Sequence, residues 1–142
     1  MRVRSCLPVL LALLAVSCGQ SSDTSSPSTP TGPTTNPTTE NFTGTVAVGS
    51  SDVHSFTVAL SGGQLNVILT AAGPPATIQM GVAIGSWAAP TCTLFSNGSV
   101  VQAANPIAQL SGTANAGTYC VQVSDVGNQA SPVTYAVTVI HY

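Results

Sequence analysis

From Glu40 onward no window of this chain holds a helical period, because Gly and Pro interrupt every candidate. What remains is a succession of short alternating runs, rich in Val, Ile and Thr, separated by Gly, Pro, Asn and Ser. A strand sends successive side chains to opposite faces, so each run defines one apolar face. Phe56, Val58 and Leu60 form one such face; Leu65, Val67 and Leu69 another; Ile78, Met80, Val82 and Ile84 a third. Tyr119, Val121 and Val123 follow, with Cys120 on the opposite side, and Tyr135, Val137 and Val139 close the series. The pattern predicts an all-β antiparallel sandwich of eight or nine strands in about 100 residues. Thr43–Val48 is the first expected strand and Ile107–Leu110 a short late one. Ser61-Gly62-Gly63 and Asn97-Gly98 read as hairpin turns, and Gly85–Pro90 as a loop carrying Trp87.

The first residues have a different texture. Arg2 and Arg4 precede the apolar run Leu7–Val16, and Ser17 and Cys18 follow it. A run of about ten residues matches a signal-peptide h-region and is much shorter than the roughly 20 residues that span a bilayer. Ala15-Val16-Ser17-Cys18 resembles the lipobox of bacterial lipoproteins. It departs from the usual pattern in having Ala at 15 and Val at 16. The resemblance implies cleavage after Ser17 and a diacylglycerol on the Cys18 thiol, which would hold the protein at a membrane without crossing it. Gly19 is not the Asp that retains such proteins at an inner membrane, which implies the outer membrane or cell surface. An ordinary cleaved secretory peptide and an uncleaved anchor are the alternatives.

Gln20–Thr39 contains no apolar side chain larger than Pro and cannot offset its ordering entropy. It reads as a Ser/Thr/Pro tether, stiffened toward polyproline II, with a reach of roughly 60 Å at full extension. The expected organisation is a signal peptide over 1–17, a lipidated Cys18 and tether over 18–40, and a β-sandwich over 41–142.

Charge narrows the partners. Only 4% of the 142 residues are charged, against about 25% in ordinary globular chains. Both basic residues lie in the signal, so nothing after Ser17 is Lys or Arg, and the remaining acids are Asp23, Glu40, Asp52 and Asp125. Nucleic-acid binding needs cationic phosphate contacts and is excluded on this count. Arg or Lys clamps for anionic substrates are excluded likewise. Cys92 and Cys120 form an even pair in an exported chain and are expected to be disulfide-bonded. They have no neighbouring Cys or His at ligand spacing, so no metal site is expected.

Four motifs occur in order: Asp52-Val53-His54-Ser55-Phe56-Thr57-Val58, Gly62-Gly63-Gln64-Leu65-Asn66-Val67, Gly117-Thr118-Tyr119-Cys120-Val121-Gln122-Val123 and Tyr135-Ala136-Val137-Thr138-Val139. Together, over about Thr43–Ile140, they resemble the bacterial pre-peptidase C-terminal domain, a relative of collagenase collagen-binding domains. The resemblance implies a jelly-roll-like sandwich of the kind appended to exported peptidases. The calcium site of related domains does not carry over, because the start of this domain offers only Glu40 and Asp52 as acids.

Few residues could carry chemistry. Asp52 and His54 share a strand face, but Ser55 points the other way and no nucleophile elbow is present. The simplest reading is a strand-start Asp and a rim His. Asp125 reads as a turn residue. Trp87 either caps an open end of the sandwich or serves as a ligand contact that stacks on a sugar or anchors a protein. The expected function is a non-catalytic, membrane-anchored extracytoplasmic binding or structural module, with a carbohydrate or protein ligand and no cofactor. The alternative is an accessory domain that assists folding, export or targeting of a secreted hydrolase.

Overall fold

The computed structural model describes residues 36–59 and 62–142; Cys18 with the expected signal, and Leu60, lie outside them. Eight strands make up the described chain: β1 (Thr38–Val46), β2 (Ser51–Val58), β3 (Gly63–Gly73), β4 (Gln79–Ala88), β5 (Thr91–Ala103), β6 (Leu110–Ala114), β7 (Gly117–Ser124) and β8 (Val133–His141). They form two four-stranded sheets, one ordered β1-β8-β3-β6 and the other β2-β7-β4-β5. Every pairing is antiparallel. The all-β sandwich expected from the alternation is therefore the fold observed.

The core is the set of side chains that the period of two selects. Phe56, Val58, Leu65, Val67, Leu69, Met80, Val82, Val121, Val123, Val137 and Val139 are all buried between the sheets. Val46, Val133 and Tyr135 extend the same layer. Each such aliphatic side chain contributes about 1.5–3 kcal/mol on burial. In a domain with no Lys or Arg, this layer, the backbone ladders and the Cys92–Cys120 disulfide carry the stability.

The connections and strand bounds differ from expectation in five places. Gly62-Gly63 does not close a hairpin, because β2 pairs with β7 while β3 pairs with β6 and β8; the chain crosses from one sheet to the other there. Asn97-Gly98 does not close one either. Both halves of β5 pair along β4, Thr91–Leu94 with Gly85–Ala88 and Ser99–Ala103 with Gln79–Ala83, and residues 95–98 bulge out between them. The β4–β5 hairpin turns instead at Ala89-Pro90, so Trp87 lies in strand β4 rather than in a loop. Ile107 is exposed in the approach to β6, and the late strand is Leu110–Ala114. At the start, β1 already pairs with β8 at Thr38, upstream of the expected boundary at residue 41. Backbone pairing needs no apolar side chain, so a Thr-rich segment that reads as tether can supply the first turn of a ladder.

Candidate functional site

Strand parity places Asp52 and His54 on the inner face of β2, opposite Val123 and Val121. There they meet Tyr135 of the other sheet. The Tyr135 hydroxyl lies 2.8 Å from Asp52 Oδ2 and 2.7 Å from His54 Nε2. The carboxylate can only accept, so the phenol donates to it and His54 Nε2–H donates to the phenol oxygen. The Phe42 ring stacks on the His54 ring with centroids 4.8 Å apart. Burial first, then the hydrogen bond and charge of Asp52, raise the Tyr135 phenol above its ordinary 10.0. The group is a polar strut between sheets. Ser55 lies on the opposite face of β2, across from Cys120, so the Asp-His pair gains no nucleophile from it.

The other two described acids are also committed. Glu40 Oε1 lies 2.9 Å from Nε2 of the buried His141. Asp125 accepts backbone N–H groups from Gly49, Gly127, Asn128 and Gln129. These bonds, that of Gly49 foremost, hold its carboxyl below the ordinary 3.8. Among the described residues, no three His, Cys, Asp or Glu side chains converge as a metal site.

Cys92 and Cys120 are joined by a disulfide. It lies on the outer face of the second sheet, where Trp87 is the cross-strand partner of Cys92. Trp87 is half-buried, and Leu94 and Val101 on β5 are exposed. The tryptophan therefore lies on the outer sheet face, next to the β4–β5 turn.

The uncommitted feature is elsewhere. Where β6 faces β5 across the open side of the sandwich, a groove of about 260 Å³ enters between the sheets. Leu65, Val67, Ile84 and Leu110 form its apolar lining, and Phe95 and Tyr119 stand beside them. No charged side chain lines it. Phe95 belongs to the β5 bulge and meets Tyr119 edge-on at 6.3 Å, and Tyr119 stacks on Phe56 at 5.9 Å. Gly98 lets the bulge lie down, since a Cβ there would come within 2.9 Å of Ile84 Cγ2. Gly112 keeps the groove open: it is paired with the inward Leu65, and a Cβ built on it meets nothing within 4 Å. The alternation of apolar residues does not reveal this site, because Leu110-Ser111-Gly112-Thr113-Ala114 carries small side chains where the groove lies. The exposed Phe95 beside Asn97-Gly98 is the one local signal of it.

No family model matches the chain, and no curated protein matches it. The resemblance to pre-peptidase C-terminal domains thus rests on the motifs alone. Among solved structures, PliG of Aeromonas hydrophila, a periplasmic inhibitor of g-type lysozyme, aligns with a TM-score of 0.52 at 16% identity, covering 73% of this chain and 86% of that one. PliG of Salmonella Typhimurium aligns with a TM-score of 0.43 at 13% identity, covering 73% of this chain and 87% of that one. The likeness to the Aeromonas protein shows a shared sandwich fold.

Proposed function

We propose that this chain is an exported, non-catalytic protein-binding module, tethered to the outer membrane or cell surface through Cys18. The observation that carries the binding role is the contrast inside the sandwich. Each described side-chain carboxylate is spent on a structural partner, while the apolar groove beside Gly112 and Phe95 stays open. A concave apolar site with a few polar groups is the usual form of a binding site. The Aeromonas neighbour supplies the partner class to test first, a bacteriolytic enzyme of the g-type lysozyme kind. The motif resemblance to pre-peptidase C-terminal domains supports the same extracytoplasmic setting.

The test has two parts. Intact mass of the mature protein from a bacterial membrane fraction should show a start at Cys18 with added acyl mass; an unmodified start removes the tether from the proposal. The mature chain should then slow lysis of a peptidoglycan suspension by g-type lysozyme in proportion to its concentration. Undiminished lysis with no complex on a sizing column would remove lysozyme as the partner.

Trp87 favours a second reading. It lies half-buried on an uncharged outer face with Thr118 and Gln122 on the neighbouring strand β7 and Thr57 on β2 beyond it, a surface suited to stacking on a neutral sugar. Retention on insoluble glycan that is lost in a folded Trp87→Ala variant would select that reading over the groove.

A further inference from the structure

The groove and the strand that borders it suggest what kind of ligand would enter. Strand β6 is the last strand of its sheet and pairs only with Gly63–Val67 of β3. An edge strand presents backbone N–H and C=O groups with no ladder partner, a ready template for another extended chain. The groove opens directly beneath this edge, lined by Ser111, Gly112 and Thr113 of β6 itself. Where other strands send an apolar side chain inward, β6 has Gly112, and the space above its Cα is empty.

We infer that β6 takes an extended, uncharged peptide segment of a protein partner as an added strand, with an apolar side chain of that segment entering the groove over Gly112. This inference rests on the protein-binding reading and deepens it. Strand addition draws affinity from main-chain hydrogen bonds and specificity from pockets that receive alternate side chains. Side chains on one face of a strand recur every second residue, about 7 Å apart. One can therefore sit over Gly112 while its neighbour along the strand reaches the exposed Phe95 ring. No charged side chain lines the groove, so a carboxylate or ammonium entering it would be desolvated without a partner. That excludes charged side chains, and the Leu65, Val67, Ile84 and Leu110 lining favours apolar ones. Asn105 and Gln109 shape the adjoining edge: Gln109 Oε1 accepts from the Leu69 N–H, and the Asn105 and Gln109 N–H groups donate to the Leu69 and Val67 carbonyls. The edge of β3 beyond β6 is thus covered, and the free edge begins at β6.

The experiment uses the mature chain with Cys18→Ser and fluorescein-labelled octapeptides of alternating Thr and Val, read by fluorescence anisotropy. Each peptide is also made with N-methylated amides on one edge or on the other. The expected result is saturable binding that weakens at least tenfold when one edge is N-methylated and much less when the other is. The Gly112→Leu variant, whose side chain would occupy the groove, should weaken binding at least tenfold while keeping the wild-type melting curve. Gly112→Ala serves as the milder variant should leucine disturb folding, and it should weaken binding by a smaller factor. Binding insensitive to N-methylation on either edge would overturn strand addition. Binding unchanged in a folded Gly112 variant would overturn the site, and no binding by any peptide would overturn the inference. If lysozyme is inhibited equally by wild type and Gly112→Leu, the protein-binding reading stands and this inference fails.

Discussion

The Tyr135 hydroxyl reaches across the interior and donates to Asp52 Oδ2 at 2.8 Å, joining β8 of one sheet to β2 of the other. His54 completes the arrangement from the same strand as Asp52. Removing the hydroxyl in Tyr135→Phe leaves both groups short of a partner in a partly buried place. A cost of about 1–3 kcal/mol is expected for such a loss, or a fall in melting temperature of roughly 4–8 °C per kcal/mol for a domain of this size. The pH dependence has a definite sign. The phenol of the folded protein ionises above its ordinary 10.0, so the folded state holds its proton where the unfolded state releases it. The stabilisation is complete below pH 10 and is lost as the pH rises further. Urea midpoints of wild type and Tyr135→Phe should converge above pH 10; a constant gap would refute the assignment.

Gly44 sits where that strut leaves no room. A Cβ there would collide with the Asp52 carboxylate and would lie 2.8 Å from the Tyr135 hydroxyl oxygen. Gly44→Ala should therefore destabilise by about 1–3 kcal/mol through overpacking. The effect should be smaller in the Tyr135→Phe background, because one of the colliding atoms is gone. A double-mutant cycle by chemical denaturation checks this, and strict additivity would place the cost elsewhere.

The two levels of the fold are unequally legible. The inward faces, such as Val67 with Leu69 or Val121 with Val123, follow from a period of two and can be read directly from the amino-acid order. Sheet membership cannot. Gly62-Gly63 and Asn97-Gly98 each read as a turn, but a turn signal does not say which strand will lie alongside, nor whether the chain reverses there. In the first case the chain changes sheets; in the second it returns to the same neighbour, β4. The Asp52–Tyr135 contact spans 83 residues and leaves no local trace. The groove is harder still, since Gly112 contributes to it by lacking a side chain.

Asp125 ties two loops together through a bond from the Gly49 N–H at 2.7 Å, in addition to those within its own turn. These bonds favour the ionised carboxylate, so its folded value lies below the ordinary 3.8. The stabilisation is present above that value and is lost as the pH falls through the folded one. Asp125→Ala should lower the urea midpoint at pH 7 and approach wild type as the medium is acidified below pH 3.8. Equal midpoints at pH 7 would show that the two loops hold without the carboxylate.

The Cys92–Cys120 bridge staples edge strand β5 to β7 across β4, between positions 28 residues apart in sequence. The β5 edge needs such a staple, because its ladder with β4 is interrupted where residues 95–98 bulge out. Closing a loop of this length in the unfolded chain is worth roughly 3–4 kcal/mol in the chain-entropy model. The double variant Cys92→Ser/Cys120→Ser should therefore melt well below wild type, and reduction of wild type should bring it close to the variant. The same change should loosen the Phe95 bulge, one wall of the groove. Hydrogen exchange at Thr93–Gly98 should accelerate more than at the β3–β8 ladder. Uniform acceleration across both sheets would mean that the bridge stabilises the sandwich as a whole, without a particular hold on β5.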